Sequence, residues 1–416
     1  MPSSLSSPNT AAEGIVRRAC AVTGRGAVSA LGQSASAFVR AVLSGEAAIA
    51  PLEHRPAGLR LTAGAPIRGF VASDHFSERD MSQIDRFTQF AAVAAREAWR
   101  EAGLAGQIED PSRIGVFVGT ANGGIDALEH NFARILVEKV SPRPLTVPQV
   151  MSNAPAVRIA ADIGACGPVF GLASACASGA HAILVGATFL RAGLIDIAVV
   201  GGTDSCFSEG VLRAWDALRA VSTTTCRPFS AGRDGMVLGE GAGILVLERP
   251  ERALRRGARI RGLLRGGGMA TRASGLLASD AGGMADAMRL ALADADLSPE
   301  AVGYVNAHGT GTESNDLAEA TAIRAVFGSH AVPVSSTKSM IGHALGAAGA
   351  LEAIATIAAL EQGTLPPTLN FLAMDPAIGF DPISGGPRRT AVETALSNSF
   401  AFGGANVCLA FSRHVG

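Results

Sequence analysis

The chain has 416 residues, 48% of them apolar, with 35 Lys and Arg against 36 Asp and Glu. That length and composition suit a large α/β unit, or two joined domains, with a sizeable core. The net charge of −1 gives no reason to expect nucleic acid or an anionic membrane as a partner, and six scattered cysteines without a CxxC pair exclude a zinc pattern or a disulfide scaffold.

The start, MPSSLSSPNTAAE (1–13), lacks a basic segment followed by an apolar core and reads as a disordered tail rather than a signal peptide. No bilayer span is expected, because Arg191, Asp196 and Glu352 break the most apolar runs. With reduced cysteines, this makes the cytoplasm the expected compartment. GIVRRACAVTGRGAVSALG (14–32) predicts a strand and a Gly-rich turn, with a helix near 35–44. A polar stretch runs to about 80. DRFTQFAAVAAREAWREAGL (85–104) then has helical spacing, followed by a loop and the strand RIGVFVGT (113–120). VFGLASACASGAHAILVGATFLRAGL (169–194) is a strand entering a helix of small residues. CRPFSAGRDGMVLGEGAGILVLE (226–248) reads as a loop, a turn and an apolar strand.

Charge breaks the pattern at ERPERALRRGARIRG (248–262), and then the grammar repeats. GGMADAMRLALADADL (282–297) is a helix, AVGYVNAHGT (301–310) a strand, and VPVSSTKSMIGHALGAAGALEAIATIAAL (332–360) a strand entering a second small-residue helix. The expected organisation is two divergent halves, 14–256 and 257–416. Both small-residue helices are expected to be buried on all sides. They would form a central layer between two sheets, one sheet per half.

Within SACASGAH (174–181), Cys176 falls near the first turn of a buried helix, where unpaired N–H groups favour an anion. A lowered pKa and a nucleophilic thiolate are one reading; an inert core cysteine is the other. Cys226 is expected to be partly exposed. His181, five residues on, points away from the thiol on a helix. In NAHGTGTESND (306–316), His308 sits at a strand end, where α/β folds place sites, with Thr310 and Thr312 beside it. Lys338 and His343 flank the turn into the second small-residue helix. Glu352, inside that helix, is the natural partner of Lys338. A Lys–Glu pair in an apolar layer needs a reason, and one is to hold His343 in place. NSFAFGGAN (398–406) is a Gly-flanked turn whose Phe400 and Phe402 are either core plugs or a gate.

Taken in order, VTGRGAVSALG, SACASGAH, VVGGTD, RPFSAGRDGMVLGEGAG, VNAHGTGTESND, SSTKSMIGHALGAAGALEA and NSFAFGGAN resemble the β-ketoacyl–acyl carrier protein synthases. These are the elongating condensing enzymes of the thiolase superfamily, and the wording is closer to type II than to type I. The resemblance runs from about 18 to 413. It implies an α/β, thiolase-like αβαβα sandwich of two duplicated halves. It implies Cys176 as nucleophile and His308 and His343 as donors to the malonyl carbonyl. Lys338 with Glu352 would be a supporting ion pair, and Asp316 part of an acidic network. The backbone N–H groups of Cys176 and Phe402 would form an oxyanion hole. Thr310 and Thr312 would bind the phosphopantetheine arm, and Arg219 would meet an acyl carrier protein. It implies no metal, flavin or nicotinamide, and a homodimer or a heterodimer with a ketosynthase-like partner.

The sequence departs from the family pattern in four places. Ala401 replaces the first Gly of the gating turn, which is expected to stiffen the gate. The His-Met-Thr segment is not evident in ASGLLASDAGGM (273–284). Asn122 stands where a bulky apolar residue is expected at the acyl pocket, and Thr146 where an aromatic approaches the partner's pocket. Both changes imply a roomier or more polar pocket and an acyl chain that is unsaturated, aryl-capped or polyketide-like. The competing readings are a catalytic subunit paired with a non-catalytic chain-length factor, that factor itself, a degradative thiolase and a cysteine hydrolase. The factor typically loses the nucleophile kept here, and Cys408 lies in a strand rather than in a thiolase Cys-x-Gly turn. A hydrolase fits two histidines and a buried lysine poorly.

Overall fold

The computed structural model describes residues 19–272, 275–380 and 382–414. The tail expected at 1–13 and residues 273–274 of the missing-segment region lie outside them. No helix among the described residues is long and apolar enough to cross a membrane.

The strands are β1 (Cys20–Ser29), β2 (Ile114–Gly119), β3 (Val169–Leu172), β4 (Ile197–Asp204), β5 (Gly241–Glu248), β6 (Gly262–Thr271), β7 (Tyr304–Asn306), β8 (Val334–Ser335), β9 (Thr394–Phe400) and β10 (Ala405–Ser412). Their spatial order is β8-β7-β9-β10-β6-β1-β5-β4-β2-β3. The order is symmetric about its centre. In the first half β3, β2 and β4 run parallel, then β5 and β1 alternate antiparallel. In the second, β8, β7 and β9 run parallel, then β10 and β6 alternate antiparallel. One strand order is thus built twice from unrelated-looking segments.

The halves do not form two separate sheets, as the sequence suggested. β1 and β6 pair antiparallel at Cys20–Leu264, Ala21–Leu263 and Val22–Gly262, so the ten strands share one hydrogen-bonded ladder. The five layers nevertheless hold. The helices α1 (Ala35–Ser44), α2 (Arg86–Glu101), α3 (Ala154–Ile163), α4 (Ser178–Arg191), α5 (Glu209–Leu218), α6 (Ala281–Ala295), α7 (Glu313–Phe327) and α8 (Ala348–Gln362) carry the rest of the argument. α2 and α3 cover the outer face of the first half, and α6, backed by α7, covers that of the second. α4 and α8 pack on each other and on strands of both halves.

α8 is buried from Ala348 to Leu360, as a helix apolar on all sides should be. α4 is not: His181 and Val185 are half-buried and Thr188 is exposed, so one face reaches the surface. Small residues set the spacing here. A Cβ on Gly202 would lie 2.2 Å from the carbonyl oxygen of Gly346, and one on Gly179 2.7 Å from it. Backbone therefore touches backbone where β4, α4 and the turn before α8 meet, and this contact carries the active-site turns towards each other.

Candidate active site

β3 ends at Leu172 and α4 begins at Ser178, so Cys176 sits on the elbow between strand and helix. Ala175 takes a left-handed φ of 49°, a conformation that costs a non-glycine residue about 1–2 kcal/mol. Ser178 braces the bend: its hydroxyl donates to the Ala175 carbonyl at 2.6 Å and accepts from the Ser174 amide at 2.9 Å. His181 turns aside, its Nδ1 lying 2.8 Å from the Ser174 hydroxyl.

Two further turns close on the thiol. His308 follows β7, its amide donating to Oε1 of Glu319 at 2.8 Å while the Gly309 amide donates to Oε2 at 2.7 Å. His343 lies between Gly342 and Leu345, with φ of 68° and 48°. The His343 amide donates to Val237 at 2.7 Å and its carbonyl accepts from Gly239 at 3.0 Å. The apolar approach to β5, which read only as structure in the sequence, is the splint of this turn. Asp204, at the end of β4, accepts from the Thr120 hydroxyl and the amides of Ala121, Asn122 and Gly346, tying the loop after β2 to the turn beyond His343.

The two imidazoles face each other edge to face, with centroids 5.3 Å apart. Each Nδ1 accepts a proton donor: Lys338 Nζ at 3.2 Å for His308, and the Leu345 amide at 3.2 Å for His343. An ammonium and an amide can only donate, so both rings carry their proton on Nε2. Nε2 of His343 is buried and has no partner among the described residues. Burial first, then the charge of Lys338, holds both rings well below the usual imidazole range and therefore neutral. Lys338 is fully buried and ion-paired with Glu352. The pair was expected from sequence to hold His343; it reaches His308 instead, because Nδ1 of His343 is already filled by its own turn.

The thiol does not follow the lowered-pKa reading that the sequence left open. Burial pushes Cys176 up to about 12, against the downward pull of Lys338. The resting group is a thiol, not the thiolate its place before a helix suggested, because desolvation outweighs the favourable charge.

Cys176, His308, His343, Thr310, Phe400 and Phe402 line one chamber of about 30 Å³, room for about one water. Thr310 and Thr312 bond each other at 2.9 Å in its wall. Phe400 is buried 6.3 Å from the His308 ring, and half-buried Phe402 stacks loosely on Trp215 of α5, centroids 6.4 Å apart.

Two family models divide this chain between them: the Beta-ketoacyl synthase N-terminal domain matches residues 17–253 and its C-terminal domain 262–372. The chain belongs to the beta-ketoacyl synthase family. Nodulation protein E of Rhizobium meliloti (strain 1021) is 41% identical to the synthase over 400 residues, 95% of this chain and 99% of the relative. The 3-oxoacyl-[acyl-carrier-protein] synthase 2 of Synechocystis is 37% identical, covering 94% and 97%. Among solved structures, the ishigamide ketosynthase/chain length factor superposes with a TM-score of 0.92 at 31% identity, covering 96% of this chain and all of the other. A type II polyketide ketosynthase in complex with its acyl-carrier protein, AntDE:AntF, superposes with 0.88 at 30% identity, covering 95% and 99%. The synthase is thus an acyltransferase of the condensing class with a thiolase-like fold.

Other residues singled out from sequence are placed as follows. Asp316 is buried and accepts from the amides of Phe229 and Gly311, bracing the Thr310 loop rather than the histidines; Glu319 braces the His308 turn. Asn122 and Thr146 do not line the chamber. Asn122 is held through its amide by Asp204, and its Nδ2 is buried without a partner. Thr146 caps its own turn by donating to Arg143 at 2.7 Å. Arg219 is exposed at the end of α5, one helix turn from Trp215. Cys226, expected to be partly exposed, is fully buried, its sulfur 3.3 Å from the Thr310 carbonyl. Cys408 is buried in β10 and does not line the chamber with Cys176, and burial pushes its thiol up. Ala401 has φ −99° and ψ 156°, where alanine is at ease; the left-handed positions of the gate fall on Gly403 and Gly404. The stiffening expected at Ala401 is therefore absent from this conformation.

Proposed function

We propose that the protein condenses an acyl group held on Cys176 with a malonyl group on an acyl carrier protein, giving carbon dioxide and a 3-oxoacyl carrier protein. The observation that carries this reading is the pair of neutral imidazoles, each with its Nε2 proton free for an oxygen, sharing one closed chamber with a thiol. Cys176 gives up its proton as sulfur attacks the acyl thioester. The carrier thiol leaves with a proton, and the Cys176 and Phe402 amides hold the intermediate oxyanion. The malonyl carbonyl then lies against Nε2 of His308 and His343. Its C–C bond to the carboxylate breaks, the electron pair enters the enolate, and both N–H donors bear the developing charge. That carbon attacks the acyl thioester, and the Cys176 sulfur leaves and takes up one proton from solvent, which restores the resting thiol. Lys338, paired with Glu352, fixes the tautomer of His308. With one proton drawn from solvent the scheme closes on residue and substrate atoms, and we assign no cofactor beyond the carrier's phosphopantetheine arm. Thr310 and Thr312 would meet that arm, and Arg219 the carrier's acidic surface.

A second ketosynthase-fold chain is the natural further partner. Leu136, Val137 and Val147 are 64%, 78% and 68% exposed, on or beside two helical segments, 125–136 and 146–150, that contact each other, and exposed apolar residues gathered in this way mark an interaction surface. The ketosynthase/chain length factor likeness favours a heterodimer beside the homodimer reading. This reading assigns the enzyme to fatty acid or polyketide elongation, with the cytoplasm, where free cysteines persist, as the expected compartment. An assay with malonyl carrier protein and a panel of acyl carrier proteins, with Cys176→Ala as control, tests the reading. Condensation at full rate by Cys176→Ala would overturn the mechanism. Preference for plain saturated chains would overturn the acyl preference drawn from Asn122 and Thr146.

A further inference from the structure

At the far end of α8 from His343, about 20 Å along its 15 residues, a groove of about 1080 Å³ opens between α1, α2 and the segment 387–389. Its wall carries six arginines, Arg25, Arg40, Arg100, Arg259, Arg261 and Arg389, against three glutamates. All three acids are occupied. Glu101 takes Arg25 and Arg261, and Glu361 takes Arg25, Arg259 and Arg261. Glu97 turns to backbone, accepting from the amides of Ala27 and Ala35. This lattice holds Arg25, 7% exposed, and Arg261 as a fixed floor, and leaves Nε of Arg261 buried without a partner.

Among the described residues, the side chains of Arg40, Arg100 and Arg389 make no ion pair. The side chains of Arg40 and Arg389 make no hydrogen bond there either, and the charge of Arg100 acts weakly on Glu97. They come from α1, from a two-residue strand and from the last turn of α2, so no single helix or loop explains their convergence. Like charges gathered within a Debye length repel, and an anion shared between them removes that cost. Guanidinium forks match phosphate oxygens two at a time. The volume is that of a pocket for a whole small molecule rather than for one ion, and Val39, Leu43 and Pro387 give it an apolar side.

We propose that this groove binds a small polyphosphate anion, of nucleoside triphosphate size, at a site separate from the condensing chamber. The test is calorimetric titration of the intact chain with tripolyphosphate and, in parallel, ATP and AMP, at physiological ionic strength. Saturable one-site binding of tripolyphosphate is expected. It should weaken by about tenfold for each of Arg40→Ala and Arg389→Ala, the loss of one charge-assisted contact. These side chains are exposed, and an unchanged melting curve would show the fold intact. Equal affinity for ATP and tripolyphosphate would make the phosphate run the ligand; tighter ATP binding would make it a nucleotide. The proposal is overturned if tripolyphosphate does not saturate, if the arginine variants bind as well as wild type, or if Arg219→Ala abolishes binding instead.

Discussion

Lys338 donates to Nδ1 of His308 across 3.2 Å while its charge is balanced by Glu352. One buried cation thus sets the tautomer of one histidine, and the second histidine is set by backbone. Replacing Lys338 with Met strands Glu352, a buried carboxylate, and should cost about 3–5 kcal/mol of stability. The double variant Lys338→Met/Glu352→Gln should recover much of that loss in chemical unfolding, yet still decarboxylate malonyl carrier protein slowly, because His308 is free to move its proton to Nδ1. Full decarboxylation by the double variant would show that the tautomer does not matter.

The histidines also fix a pH dependence. Both are depressed in the folded state, first by burial and then by Lys338, while the unfolded chain protonates them below about pH 6.5. Below that pH the unfolded state binds more protons, so the stability these rings contribute is complete above it and is lost as pH falls towards their folded values. Malonyl decarboxylation by Cys176→Ala should therefore stay level from about pH 8 to below about 6.5. An acid limb centred at 6.5 or higher would mean ordinary, solvated imidazoles.

Cys176 makes the opposite kind of prediction. With its thiol pushed up to about 12 by burial, iodoacetamide should react with it about tenfold faster per pH unit across the alkaline range in which the fold survives. Mass spectrometry of the peptide holding Cys176 reads this directly. A rate that levels off below about pH 8.5 would restore the thiolate that its position before α4 suggested.

Glu319 grips the amides of His308 and Gly309 with its two oxygens. Glu319→Ala should leave both donors unsatisfied in the interior, at about 1–3 kcal/mol each. The decarboxylation step should slow more than acyl transfer to Cys176, since the His308 turn is released and Asn398, whose Nδ2 also donates to Glu319 at 3.1 Å, does not line the chamber that holds Cys176. Equal slowing of both steps would point to general loosening.

The sequence exposed those parts of the site that repeat a visible pattern. Cys176, His308 and His343 stand at strand ends or helix entrances, and Lys338 beside Glu352 shows as charge inside an apolar run. The five-layer fold was visible in the duplicated strand–helix grammar. Glu319 left a fainter signal: it shares the buried face of α7 with Asp316, Ile323 and Phe327, so a charge on an apolar stripe marked it. The Ala175 bend left none, because alanine favours helix and its left-handed φ is imposed by Ser178 and the packing around it. The shared ladder of β1 and β6 and the arginine groove were equally hidden, since each joins segments hundreds of residues apart.

The gate gives the last prediction. Ala401 is extended and unstrained, whereas Gly403 and Gly404 hold φ of 81° and 75°. Ala401→Gly adds freedom mainly to the unfolded chain, so it should cost about 0.4–1 kcal/mol. It should leave acyl transfer to Cys176 within about twofold of wild type, a barrier change well under that of a lost hydrogen bond. Gly403→Ala forces a side chain into the left-handed region at about 1–2 kcal/mol. It should slow acyl transfer by pushing Phe402 off Trp215 and disturbing the mouth of a chamber with room for one water. Stopped-flow acylation of the two variants separates the cases. If Ala401→Gly is many-fold faster, the chamber opens by a swing at residue 401 that this closed conformation does not contain, and the stiffening read from the sequence acts on the open state.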